Sequence, residues 1–164
     1  MTDEVLSILK TIADEVVPQS ETLRDLDAKI GDGDLGITIT RGMEAVVAGL
    51  KDLEGTPVSN QLGRSGMGFN RAAASTFGAL FATAMMRGGA AVKDREDVGA
   101  GDVVAIGRAA LQGLMDRGKA NIGDKTLLDA LAPAIDAFDE AHTAGRSLLE
   151  ATDAAVAACE VGTT

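Results

Sequence analysis

Apolar residues in this chain recur three and four positions apart from one end to the other, and that period constrains the fold more than any other feature. Val5, Leu6, Ile8, Leu9, Ile12, Ala13, Val16 and Val17 make the first stripe, one face of an amphipathic helix. It is predicted to start after Thr2 as N-cap and to end at Pro18, which cannot continue a helix. A second helix is predicted from about Ile37 to Leu53, followed by a turn at "EGTPVSN". From Gln61 to Arg87 most faces are apolar, with Phe69, Phe77, Leu80, Phe81, Met85 and Met86, which predicts a central buried helix or pair of helices. Asp102 opens another helix, closed by Arg117 and a Gly118 C-cap. Asp124 or Thr126 starts the next, in which Pro133 demands a kink or a later start. Ser147 and Glu150 have capping-box spacing for the last helix. No segment shows period-two alternation bounded by turn residues, so the expected class is all-α.

Length and composition narrow the reading further. The 164 residues suit a single domain spanning 1–164, and 46% apolar content is enough for a core. Aromatic residues are only 2%, with no Trp or Tyr, so Leu, Ile, Val, Met and Ala must fill that core. A core rich in Ala favours closely packed helices. The formal charge of −10 argues against a nucleic-acid partner, since phosphate backbones need clustered Lys and Arg. It still permits a nucleotide when a divalent cation lies between the two anions. The lone Cys159 has no partner for an internal disulfide, and the acidic N-terminus is unlike a signal peptide. No apolar run is long enough to span a bilayer. The expectation is a cytoplasmic protein that does not engage a membrane.

The segment "LDAKIGDGDLGITITRG", Leu26 to Gly42, holds Asp27, Asp32 and Asp34 among glycines. Taken alone it admits three readings. Asp and Gly are ordinary turn formers, and such a run before a helix is often a turn with an N-cap. An EF-hand fails: its sixth position is Ile37 where glycine is required, and its twelfth is Met43 where a bidentate glutamate is required. The third reading is a Mg²⁺–phosphate site at a helix N-terminus. There hard carboxylate oxygens hold the ion, glycines 31, 33 and 36 let backbone approach, and free N–H groups face an anion.

A second segment, "RGKANIGDKTLLDALAPA" from Arg117 to Ala134, decides among them when combined with the first. Together they resemble the nucleotide-binding L subunit of dihydroxyacetone kinase, or the equivalent domain of single-chain forms. That family shows "IGDGDHG" followed by "RG", then "GKA-x-x-GDKT-hydrophobic-x-DAL-x-PA". The matches here are Ile30 to Asp34, Gly36, Arg41 and Gly42, then Gly118 to Ala120, Gly123 to Thr126, Asp129 to Leu131, Pro133 and Ala134. The resemblance runs over nearly all of the chain. It implies an antiparallel barrel or bundle of about seven to eight amphipathic helices, with the nucleotide in loops at one end. It implies two Mg²⁺ ions chelated by Asp27, Asp32 and Asp34, clamping the phosphates of ADP or ATP. It places Gly36, Ile37 and Thr38 in the first loop, and Gly118 and Leu127 in the second, against the nucleotide. It further implies that a separate K-type subunit carries the ketose while this chain supplies the phosphoryl group and no nucleophile. The donor would be free ATP, or ADP rephosphorylated in place by a phosphotransferase-system protein.

Three departures from the family pattern stand out. The family histidine after the third aspartate is Leu35. The family's small, glycine-rich phosphate-contacting stretch corresponds to "RAAASTFGALF", Arg71 to Phe81, in which Ala73 and Ala74 replace the small-Gly pair. Ser75 and Thr76 are replacement phosphate donors there, or else they bond back to helix carbonyls. The family's C-terminal "GRASYLGERS" and "DPGA" segment has no counterpart, which leans slightly toward nucleotide exchange. These departures leave open a second function, a non-catalytic nucleotide- or metal-binding or regulatory module that keeps the fold; the retained aspartate trio favours the phosphotransferase. Lys119 and Lys125 flank the second loop, facing phosphate or solvent. His142 is read as a helix-end residue, and Arg64 and Arg71 as candidates for a partner or phosphate contact.

Overall fold

The computed structural model describes residues 2–95 and 97–163, without the side chains of Thr2 and Asp3. These residues form eight α-helices: α1 (Thr2–Val16), α2 (Ser20–Asp27), α3 (Leu35–Gly49), α4 (Val58–Ala72), α5 (Thr76–Ala91), α6 (Ala100–Gly118), α7 (Leu128–Thr143) and α8 (Leu148–Gly162). Two 3-10 turns, Val17–Gln19 and Leu50–Leu53, complete the described secondary structure, and no strand occurs among the described residues. The expected all-α class is what the chain adopts.

From α3 onward each helix packs on the next, and α1 lies against α3 and α4. The short connections make neighbours antiparallel, and individual contacts fix the direction. Gly42 of α3 meets the Phe69 ring of α4, Gly118 at the end of α6 lies near Leu80 early in α5, and Gly162 at the end of α8 lies on the Asp129 carbonyl early in α7. The α2–α3, α4–α5 and α6–α7 connections therefore share one end of the bundle.

The main core joins Leu9 and Ala13 of α1, Met43 and Val46 of α3, and Phe69 of α4, with Phe77 and Phe81 of α5 packed against it. Phe69 is fully buried, its ring centroid 4.4 Å from that of Phe81. A side chain at position 42 would run into that ring, so the few aromatic residues depend on a glycine opposite them. Val104, Ile135, Phe138, Ala141 and Ala151 form a second cluster between α6, α7 and α8.

Several boundaries differ from the sequence expectation. The Thr2 cap lies outside the described side chains. The first helix ends at Val16, and Pro18 sits at the start of the 3-10 turn, where its missing N–H costs nothing. Helix α2 was not foreseen, because Leu23 and Leu26 are the only large apolar residues in its eight positions. The helix expected from Ile37 starts two residues earlier and tightens into 3-10 geometry after Gly49. The apolar stretch from Gln61 resolves into the pair α4 and α5. At the end of α6 the left-handed residue is Lys119, φ 59°, and not Gly118. Helix α7 takes the later start, at Leu128, and Pro133 lies within it. The Ser147–Glu150 capping box forms as expected, with Glu150 Oε2 accepting the Ser147 N–H at 2.9 Å.

Candidate functional site

The chain leaves α2 at Asp27 and enters α3 at Leu35, and in that short interval it turns back on itself. The Asp27 carbonyl accepts the Ile30 and Gly31 N–H groups, at 3.1 and 2.6 Å, closing the turn. A side chain at position 31 would collide with Asp27 Oδ1, and Gly33 has φ 74°, which L-residues with side chains rarely adopt. These glycines let the three aspartates converge. One carboxylate oxygen from each of Asp27, Asp32 and Asp34 lies within 4.8 Å of the other two.

Each carboxylate is held differently. Asp27 Oδ2 accepts the Leu35 N–H at 3.3 Å, and Asp32 Oδ1 accepts the Asp34 N–H at 3.4 Å. The Asp34 carboxylate accepts no backbone N–H among the described residues, and desolvation followed by the neighbouring Asp32 and Asp27 charges raises its pKa above the usual carboxylate value. Three acids held together without a counter-charge are unfavourable, and a hard divalent cation is the chemistry that reverses the sign. Oxygen donors from three carboxylates at this spacing fit Mg²⁺, which keeps further positions for water and phosphate.

The first turn of α3 stands next to these acids. The Thr38 N–H is spent on the Asp34 carbonyl at 3.0 Å. The N–H groups of Gly36 and Ile37 have no acceptor among the described residues, and so offer two donors and the positive end of the helix dipole to an anion. Gly36 also has a packing role, because a Cβ on it would strike the Ser20 carbonyl of α2. Thr38 is 6% exposed, whereas Ile37 is open to solvent. A cavity of about 430 Å³ between α2 and α3 adjoins the loop, lined by Ser20, Glu21, Arg24, Gly33, Gly36 and Ile37.

The remaining candidate residues reach this end of the bundle from two other connections. Ser75 is the N-cap of α5, its Oγ accepting the Gly78 N–H at 3.0 Å, and Thr76 is the first helical residue, exposed. Neither bonds back within a helix, so that alternative for the pair is excluded. Gly118 ends α6 and Leu127 is the N-cap residue of α7, 45% exposed.

Asp129 organises the loop between them, a role that the sequence reading did not assign. Its Oδ1 accepts the Gly123 N–H at 2.5 Å and its Oδ2 the Thr126 N–H at 2.8 Å. These backbone donors hold the Asp129 carboxyl below the usual range. The Thr126-x-x-Asp129 spacing is a capping signature that would have disclosed it. Lys119 and Lys125 both sit in the left-handed region, φ 59° and 57°, a costly conformation for lysine, and neither makes an ion pair among the described residues.

Residues 29–164 match the DAK2 domain. Over 138 residues, 84% of the chain, the sequence is 30% identical to the ADP-binding subunit DhaL of the PEP-dependent dihydroxyacetone kinase 1 of Listeria innocua, and covers 69% of it. It is 28% identical over 157 residues to the ADP-binding subunit DhaL of the Escherichia coli PEP-dependent dihydroxyacetone kinase, covering 96% of this chain and 75% of that one. The crystal structure of the dihydroxyacetone kinase from C. freundii in complex with AMP-PNP and Mg²⁺ aligns with 99% of this chain at a TM-score of 0.78 and 23% identity. This chain spans 29% of that protein, and the likeness establishes the shared helical fold.

Proposed function

This chain belongs to the DAK2 domain family, and on that premise we propose that it is the nucleotide-binding, phosphoryl-donating component of a dihydroxyacetone-kinase-like phosphotransferase. The observation that carries the reading is the convergence of Asp27, Asp32 and Asp34 beside the unengaged N–H groups of Gly36 and Ile37. The trio is suited to hold Mg²⁺, two ions in the fullest form of the reading. Bound there, the metal supplies charge neutralisation for the phosphates of ADP or ATP. The start of α3 orients a phosphate through Gly36 and Ile37, with Thr38 limited to its hydroxyl because its N–H is already used. Ser75 retains a hydroxyl proton to donate while its oxygen caps α5, and Thr76 adds a second hydroxyl. Leu127 presents apolar surface for the adenine, and Gly118 allows close approach beside it.

Phosphoryl transfer calls for positioning and electrostatics more than for a nucleophile, and no residue of this chain is assigned as one. The acceptor, a ketose such as dihydroxyacetone, belongs on a separate K-type subunit, so this chain acts in the cytoplasm as half of a catalytic pair. The donor is free ATP, or a phosphotransferase-system protein that recharges bound ADP.

The test is a calorimetric titration of ADP and ATP with Mg²⁺ and with chelator, on the wild type and on Asp34→Ala. Binding that requires Mg²⁺ and vanishes in the variant supports the site. Binding indifferent to both removes the metal from the mechanism. If neither nucleotide binds at millimolar concentration, the regulatory module replaces the phosphotransferase.

A further inference from the structure

A second cavity lies away from the aspartates, in the cleft between the later half of α3, its 3-10 extension and α4. It measures about 420 Å³, and Gly49, Asp52, Arg64, Ser65, Gly68 and Arg71 are among the residues around it. Arg64 and Arg71 are seven residues apart on α4, two helical turns, so they stand on one face about 10 Å apart along the axis. Neither guanidinium makes an ion pair or a hydrogen bond with any described residue; Arg41 and Arg117 are likewise unpaired, whereas Arg24, Arg87, Arg95 and Arg108 are paired. Arg71 in the last turn of α4 has a partial explanation in the helix dipole, but Arg64 in mid-helix has none.

Ser65, the residue after Arg64 and also among those around the cleft, is 3% exposed, and its Oγ has no hydrogen-bond partner among the described residues. A buried hydroxyl left unpaired costs stability, which makes it a mark of a missing partner. The floor of the cleft is kept clear by Gly49 and Gly68. Nothing lies within 4 Å of a Cβ built on either, so packing does not demand a glycine at these two positions, and Gly68, inside α4, weakens its helix. Open space, two unengaged guanidiniums and an unpaired buried hydroxyl form one concave site, of a size that accommodates a small ligand.

We propose that this cleft binds a small phosphate monoester that carries hydroxyl groups, a polyol phosphate. Two planar guanidiniums are the groups of choice for a phosphate, through paired N–H donors. Asp52, also among the lining residues, would repel a second anionic group but accepts from a ligand hydroxyl, and a turn of the Ser65 side chain toward the cleft would give its buried hydroxyl a partner. The ligand is therefore anionic at one end and a hydrogen-bond donor at the other. The site is independent of the nucleotide reading, since none of the residues proposed to hold metal or nucleotide lines it.

The experiment titrates glycerol 3-phosphate into the ¹⁵N-labelled chain, with chelator present so that the aspartate site is silent. Inorganic phosphate and glycerol serve as parallel probes, and the titration is repeated on Arg64→Gln/Arg71→Gln, Arg64→Lys/Arg71→Lys and Asp34→Ala. The expected result is saturable binding with amide shifts centred on Gly49, Ser65 and Gly68, weakened at least tenfold in the double glutamine variant. The double lysine variant, which keeps the charge and loses the paired donors, should bind more weakly than wild type and more tightly than the double glutamine variant; Asp34→Ala should retain wild-type affinity, and glycerol should not bind. Both arginines are solvent-exposed, so circular dichroism melts matching the wild type will show that a loss reflects the site. The proposal is overturned by absence of saturation, by unchanged affinity in the double glutamine variant, or by loss in Asp34→Ala. Inorganic phosphate binding as tightly as the ester overturns the polyol assignment.

Discussion

Replacing Gly36 by alanine separates two roles for a glycine at the head of α3, a path for an anion and a contact surface for α2. A Cβ at this position would collide with the Ser20 carbonyl oxygen, and would stand 3.0 Å from its carbon and 3.3 Å from Arg24 Cβ. That carbonyl is main chain held in α2 and cannot rotate aside, so the two helices must separate. Overpacking of this kind costs about 1–3 kcal/mol, and a rigid obstacle puts this case in the upper part of the range. Alanine regains about 1 kcal/mol through helix propensity. The difference is a loss of about 1–2 kcal/mol, or about 2–8 °C in Tm for a chain of this size. Gly63→Ala is the control, since that position lies within α4 and nothing falls within 4 Å of the new Cβ; it should gain up to about 1 kcal/mol. Urea unfolding followed by far-ultraviolet circular dichroism reads both, the chain having neither Trp nor Tyr. Nucleotide and Mg²⁺ are left out, so that binding contributes nothing. A Gly36→Ala protein as stable as wild type or as Gly63→Ala refutes the packing argument and leaves Gly36 a ligand-facing role only.

The other predictions concern the charges and caps of the same end. The Asp34 pKa is raised in the folded state, so its contribution to stability is present below the unfolded carboxyl pKa and lost as pH rises through the folded value. Asp34→Asn should therefore melt higher than wild type in chelator at neutral pH and match it in acid, and Mg²⁺ should raise the Tm of the wild type alone. Asp129 shifts the opposite way: its contribution is present above the unfolded value and lost as pH falls through the lowered folded one. Asp129→Asn should speed hydrogen exchange at the Gly123 and Thr126 amides and leave those of α1 unchanged; uniform protection would contradict the loop assignment. Ser75→Ala removes the acceptor 3.0 Å from the Gly78 N–H and should cost about 1 kcal/mol in urea, an effect that Ser75→Asn should largely restore.

The legible parts of this chain were those where residue type alone sets the chemistry. Apolar period gave the helical class, because each stripe must be buried by another helix, and the Ser147–Glu150 box could be placed from spacing because both partners lie within one turn. The limits of the reading lie where a distant group decides. Helix α2 has no fully buried residue and no stripe to read, and it is held through contacts with α3. Lys119 takes the left-handed position beside an available glycine, since the loop beyond it is tied down by Asp129, ten residues away. Gly36 looked like a path for phosphate, and its contact with Ser20 is visible only once α2 and α3 are side by side. Arg64 and Arg71 are candidates for a partner or phosphate contact in one dimension, but the cleft they share is visible only once α3 is beside α4.

The aspartate loop joins these two kinds of information. Asp27 is part of the scaffold, its main-chain oxygen closing the turn and its carboxylate anchoring the Leu35 N–H that begins α3. Asp32 is tied locally, to the Asp34 N–H. Asp34 alone brings its carboxylate to the cluster without a backbone donor, and it is also the one whose ionisation the fold disfavours. The loop therefore fixes two acids for structural reasons and holds the third at a cost that stability alone does not justify. A turn that served only to join α2 to α3 would do better with Asn at position 34. The retained charge is accounted for once a cation binds, because the same Coulomb energy that opposes the empty cluster then favours the occupied one. Of the three positions, 34 is thus where loss of function and gain of stability should coincide most cleanly.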